Sequence, residues 1–229
     1  YLLYQLGTEA FAQNNMNKAI EYFSLSLQSS STGKYSAESY YWRSESYYRS
    51  SQSDKSIADL KSFFSNSYAR SSVNYKTANY ALAYAYFSQK NYSEALNWFL
   101  KYVDLENNPG ATTYVDAFNR IGDCYFNARN FTKAETYYSR ASSLSPNTGD
   151  YAAFQSAYVA GLQKNYSTKI NRLESLISKY PKSEYIDDAL YEIGRAYVML
   201  ESDAKAISTF QRLLSVQPNS KLAPKAALE

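Results

Sequence analysis

One short frame recurs through the 229 residues: a small residue, a second twelve positions on, and an aromatic or leucine four beyond that. It is sharpest at Gly194, Ala206 and Phe210, at Gly122, Ala134 and Tyr138, and at Gly7, Ala19 and Phe23. Softer copies run Ala83, Ala95, Phe99; Ser44, Ser56, Leu60; and Ala157, Lys169, Leu173. Successive second residues lie 37, 39, 39, 35 and 37 apart. A period of that size means a stack of identical supersecondary units, since one unit cannot bury its apolar face alone.

Each half of the unit reads as helix. In DALYEIGRAYVML, residues 188–200, Ala189, Leu190, Ile193, Ala196, Tyr197 and Leu200 recur at three- and four-residue intervals. Gly194 sits in the middle, where glycine costs about 1 kcal/mol relative to alanine. That loss makes sense if another helix packs against the backbone itself. The first column, Gly7, Ser44, Ala83, Gly122, Ala157 and Gly194, is small in all six copies. The second, Ala19, Ser56, Ala95, Ala134 and Ala206, is expected to supply the other half of the close contact, and Lys169, which breaks it, predicts a looser fifth pair. Only 7 Gly and 5 Pro are present, few for the turns of a β-sandwich or barrel, so the expected class is all-α.

The turns support the frame. In QKNYSEA, ARNFTKA and QKNYSTK, Asn91, Asn130 and Asn165 suit the left-handed residue that ends a helix. Ser93, Thr132 and Ser167 then read as N-caps of the next, with Asn17 and Asp54 in the equivalent place in the first two copies. These turns also match the N-x-S/T glycosylation pattern, which helix-ending Asn and helix-starting Ser or Thr create by themselves.

The frame resembles the tetratricopeptide repeat, a helix–turn–helix of 34 residues. The fourth copy carries the likeness in Phe118, Ile121, Gly122, Tyr125, Ala134, Tyr138, Ala141 and Pro146, the sixth in Leu190, Ile193, Gly194, Tyr197, Ala206, Phe210, Leu213 and Pro218. Arg43 stands in an apolar slot of the second copy. Every spacing exceeds the family's 34, so helices or turns are extended. The resemblance implies a right-handed α-solenoid (superhelix) of about six repeats in one domain over 1–229. Its units would be 1–33, 34–71, 72–110, 111–147, 148–182 and 183–219, with a further helix starting in 220–229 and the chain a piece of something longer. SKYPKSEYIDDALYEIGRAY and SVQPNSKLAPKAAL resemble the bacterial cell-envelope branch, which includes the outer-membrane assembly lipoprotein and the Tol–Pal coordinator. That likeness implies membership of an envelope complex, periplasmic or outer-membrane-associated, with the cytoplasm left open.

Little points to chemistry. Histidine is absent, which removes the commonest general base and metal ligand. The single cysteine, Cys124, excludes an internal disulfide and a cysteine zinc site and reads as a buried structural thiol. A net charge of +3 is too small for a nucleic-acid surface, and no run approaches the eighteen apolar residues of a membrane span. STGKYS, residues 31–36, lacks the upstream glycine and following hydroxyl of a phosphate loop and reads as a turn. Asp187 and Asp188 suit the positive end of a helix dipole. No enzyme, cofactor or metal is expected.

Surface remains. Beside the packing face, a first column reads Tyr4, Tyr41, Tyr80, Asn119, Phe154, Tyr191, and the next, one turn on, Thr8, Glu45, Tyr84, Asp123, Tyr158, Arg195. Phe11, Tyr48, Phe87, Phe126, Gly161 and Val198 follow after a further turn. The resemblance places such columns on a concave face where partner segments bind. Tyrosine, 26 of the residues, offers large contact area at low entropic cost. The lysine and asparagine clamp with which some family members hold a terminal carboxylate is absent; only Asn119 and Arg195 approach it. An extended peptide or a helix with apolar and small polar residues is the expected ligand. Three alternatives stand beside this one: tyrosines that only fill gaps between repeats, aromatic faces that stack on glycans, and a spacer within a longer array.

Overall fold

The computed structural model describes residues 1–145 and 147–228; Pro146, part of the fourth copy's pattern, lies outside them. Among the described residues every regular element is helical. The helices gather in two compact units, Tyr1–Asn107 and Asn108–Glu229. The first holds α1 (Leu2–Ala12), α2 (Met16–Ser29), α3 (Lys34–Arg49), α4 (Ser53–Ser65), a 3-10 turn (Ala69–Ser71), α5 (Tyr75–Ser88) and α6 (Tyr92–Leu105). The second holds α7 (Thr112–Asn127), α8 (Phe131–Leu144), α9 (Asp150–Leu162), α10 (Tyr166–Lys179), α11 (Ile186–Met199), α12 (Asp203–Val216) and the short α13 (Ala223–Ala226). Within each unit consecutive helices pair as antiparallel hairpins, and each hairpin packs on the next in chain order. The fold class is an α-solenoid.

The close contact inside the hairpin is of another kind than expected. A Cβ added to Gly194 would stand 2.4 Å from the Phe210 ring, one on Gly122 2.6 Å from Tyr138, and one on Gly7 2.5 Å from Phe23. The glycine therefore makes room for the third residue of the frame, whose aromatic ring is its nearest neighbour. Both columns are nonetheless buried: Ser44, Ala83, Ala157, Ala19, Ala95 and Ala134 are at 0% exposure. Where Leu60 and Leu173 replace the ring, Ser44 and Ala157 carry a Cβ in the glycine's place, whereas in the third copy Ala83 carries one although Phe99 keeps the ring. Beside leucine, the smaller partner leaves space for that atom.

The two charged exceptions are also resolved by packing. Lys169 is accommodated in the fifth pair: its stem lies 2.7 Å from where a Gly161 Cβ would be, and its ammonium pairs with Glu192 of α11. Arg43 reaches both carboxylate oxygens of Asp59 at 2.7 Å and donates to Ser24 Oγ at 3.0 Å, which ties α2, α3 and α4 together.

The turns differ from the expected register. Asn14, Ser51, Lys90, Arg129, Lys164 and Glu201 hold the positive φ, between 53° and 63°. The following residue (Asn15, Gln52, Asn91, Asn130, Asn165, Ser202) is the N-cap of the next helix. Asn15, Asn91 and Asn130 accept from the backbone N–H of Lys18, Glu94 and Lys133 at 3.2, 3.3 and 3.2 Å. Asn91 therefore caps rather than ends a helix, and Ser93, Thr132, Ser167, Asn17 and Asp54 lie inside helices. The reason is economy of chain: Lys90 N–H bonds Phe87 O and Asn91 N–H bonds Tyr86 O, the Schellman pattern, and its last residue doubles as the next cap.

Hairpins are also tied to their neighbours. Ser183 Oγ donates to Asp150 Oδ2 and Ser220 Oγ to Asp187 Oδ2, both at 2.6 Å. Asp187 thus fixes the turn one repeat on.

Candidate functional site

In the first unit, Tyr41, Glu45 and Tyr48 share one face of α3 and look across at Thr77, Tyr80, Ala81 and Tyr84 of α5. Together they line a cleft of about 410 Å3. Its walls are supported from behind. Tyr80 and Tyr84 lie 4.9 Å apart by ring centroid and rest on Phe99 of α6 at 5.9 and 5.3 Å, with Tyr102 5.0 Å from Tyr80. The Tyr41 hydroxyl donates to Thr77 Oγ1 at 3.3 Å across the cleft.

Charge in this cleft is concentrated on Glu45. Among the described residues its carboxylate takes part in no hydrogen bond or ion pair. Burial raises its pKa, an effect that Arg49 one turn on partly offsets; the Arg49 guanidinium itself lies over the Phe11 ring at 4.4 Å. Tyr41 is pushed up to about 12, first by burial and then by the charge of Glu45. Tyr48 is raised for the same two reasons.

A second cleft, about 280 Å3, lies in the other unit between α9 and α11 and is lined by Tyr158, Gly161, Tyr166, Lys169, Glu192 and Arg195 among others. Here the charges compensate one another: Glu192 takes the Lys169 ammonium and stands 3.6 Å from Arg195.

The remaining candidates are placed elsewhere. Asp123 is turned inward and accepts from Tyr138 at 2.7 Å, Tyr151 at 2.6 Å and Arg120 at 2.5 Å, so its oxygens are already engaged. Phe154 stacks on Tyr185 at 5.2 Å and Tyr191 packs on Phe210 at 5.9 Å. Tyr4 lies among Phe23 and Tyr35, and the Thr8 hydroxyl bonds the backbone of Gln5. Among the described residues the Asn119 Oδ1 is buried without a hydrogen-bond partner. Cys124 is buried and pushed up to about 12, by burial first and Asp123 second, so it carries no thiolate near neutral pH. Thr77, Tyr166 and Glu192 line clefts without having been singled out; Thr77 lies one turn before Tyr80, so extending the column backward along α5 finds it.

Sequence models described as tetratricopeptide repeat match residues 46–112, 115–148, 151–183 and 188–220, well over half of the chain. The chain belongs to the tetratricopeptide repeat family. Among solved structures, YrrB, described as a TPR protein with an unusual peptide-binding site, is similar with a TM-score of 0.70 at 21% identity, covering 92% of this chain and 100% of YrrB. A tetratricopeptide repeat protein from Parabacteroides merdae gives 0.66 at 15%, over 93% of this chain and 78% of that one. PilW, a type IV pilus biogenesis factor, gives 0.63 at 17%, over 99% and 97%. Identities this low establish the fold, and function has to be argued from the site. No curated protein sequence matches the chain. In tetratricopeptide repeat terms, α3, α5, α9 and α11 are first helices, and each cleft opens between the first helices of consecutive repeats.

Proposed function

We propose that this protein is a non-enzymatic scaffold that holds a segment of a partner protein against its tyrosine columns, with the α3–α5 cleft as the principal seat. The observation that carries this reading is the convergence of four sequence-selected residues, Tyr41, Glu45, Tyr80 and Tyr84, on one cleft with Tyr48 beside them. A concave site walled by rigid aromatics with a few polar groups is the usual form of a binding pocket, and aromatic anchors dominate the energetics of protein interfaces. Supporting it, the YrrB relative is described as having a peptide-binding site.

The test is direct binding of a purified partner recovered with the wild-type protein. Tyr80→Ala with Tyr84→Ala removes two cleft walls, and Ala81→Trp fills the cleft without deleting a core contact. Each is expected to weaken binding on the order of tenfold or more while far-UV circular dichroism shows helix content retained. Unchanged affinity in folded Ala81→Trp would place the partner elsewhere.

The likeness of the last quarter to cell-envelope members extends the proposal to location: the scaffold serves an envelope complex. Fractionation of cells producing the tagged protein tests this, and recovery in the cytosol alone would refute it.

A further inference from the structure

Buried acids in this protein have partners, as the cost of desolvating a charge requires. Asp59 is held by Arg43 at 2.7 Å, Glu106 by Lys76 at 2.8 Å, and Glu192 by Lys169. Asp123 takes Arg120 and two tyrosine hydroxyls. Glu45, which is partly buried, differs from these: its carboxylate is without a hydrogen bond or ion pair among the described residues and sits in a cleft walled by Tyr41, Tyr48, Tyr80 and Tyr84. Two turns back on the same face of α3, Glu38 is buried and accepts at 2.7 Å from Asn74, a neutral amide. The face thus carries two carboxylates without a bonded counter-cation. The nearest guanidinium, Arg49, is occupied over Phe11.

Aromatic faces around a carboxylate suit one kind of occupant. The ring quadrupoles attract a cation, and the attraction grows when the cation leaves water; an acid beside the rings supplies the opposite charge. The geometry points to a basic side chain, a lysine of the partner segment, seated in the α3–α5 cleft with its ammonium between the tyrosine rings and Glu45 as its counter-ion. This rests on the scaffold reading and specifies the chemistry of what that scaffold holds. It differs from the apolar or small polar ligand that the sequence alone suggests.

The probe is a blocked alanine pentapeptide with a central lysine, set against the same peptide with norleucine, which keeps the stem and loses the charge. Chemical-shift titration of the tyrosine ring signals reads both. The lysine peptide is expected to bind on the order of tenfold more tightly, and Glu45→Gln to abolish that preference. The folded state of this variant has its own readout. Burial raises the Glu45 pKa from its ordinary 4.5, so the carboxylate weakens the fold only as pH rises above that value. Glu45→Gln is therefore expected to melt higher than wild type at pH 7 and level with it near pH 4.

Three results overturn the inference: equal binding of the two peptides, a lysine preference that survives Glu45→Gln, or silence of both at millimolar concentration. Equal binding that is lost on Ala81→Trp would leave the scaffold standing and remove only the cationic occupant. Lysine-peptide binding that survives Ala81→Trp would remove both.

Discussion

Gly194 and Phe210 form one feature, because the missing Cβ of the first is the space occupied by the ring of the second. Adding that atom at 2.4 Å from the ring forces something to shift, and overpacking of this kind costs about 1–3 kcal/mol. Helix propensity opposes it by about 1 kcal/mol in favour of alanine. Gly194→Ala is therefore expected to destabilise by roughly 0–2 kcal/mol net. Combining it with Phe210→Leu should cost less than the sum of the two single changes, since Ala157 beside Leu173 already packs that way, both at 0% exposure. Denaturant melts of the double-mutant cycle check this; strict additivity would mean that glycine and ring do not share a space. The column of small residues was legible because periodicity shows which residues share a face. What fills the space over them was not, because periodicity says nothing of which neighbour's side chain arrives there. Arg43 and Lys169 illustrate the same limit: each looks like a defect until Asp59 and Glu192, distant in sequence, are brought beside it.

Helices and turns were read with different success for a physical reason. Helical faces depend on local spacing alone, so the hairpins fall where the apolar period puts them. Turn register depends on which of two adjacent residues enters the left-handed region, and Lys-Asn and Arg-Asn offer both. The hairpin turn assigns Arg129 a φ of 56° and leaves Asn130 to accept from Lys133 N–H. Glycine adopts that conformation without steric cost, so Arg129→Gly should stabilise by up to about 1 kcal/mol. Asn130→Ala removes the cap and should cost about 1 kcal/mol. Thermal melts that move in these opposite directions support the assignment; stabilisation by Asn130→Gly together with loss on Arg129→Gly would restore the other register. The candidate site shows the same division. Two tyrosine columns were readable on the helix face, but whether a member opens into a cleft depends on the neighbouring helix. Asp123 and Glu45 hold the same position in their repeats. Tyr138 and Tyr151 draw Asp123 inward, whereas Glu45 stays beside the cleft.

At the scale of the whole chain, the abundance of tyrosine makes alkali a sharp probe of the fold. A tyrosine whose folded pKa is raised by burial leaves stability intact below its unfolded value of 10.0 and removes it as pH rises toward the folded value, because only the unfolded chain then releases the proton. Each such group costs about 1.4 kcal/mol per pH unit within its window. In the first unit Tyr41 is strongly raised, with its window running from 10.0 to about 12. The second holds Tyr138 and Tyr151, both raised by burial and then by the charge of Asp123. It also holds Cys124, whose window opens earlier, at 9.0. Roughly 3 kcal/mol per pH unit from the two tyrosines alone is a large share of a domain's stability, so the second unit is expected to lose its fold above about pH 10. Both tryptophans, Trp42 and Trp98, belong to the first unit, which separates the signals. In an alkaline titration, circular dichroism follows both units and the tryptophan emission maximum the first alone. Tyr138→Phe with Tyr151→Phe should move the loss of helical signal from the second unit to higher pH while the tryptophan transition stays in place. A single transition seen at the same pH by both probes, unmoved by the phenylalanines, would mean that burial of these hydroxyls does not govern the alkaline limit of the fold.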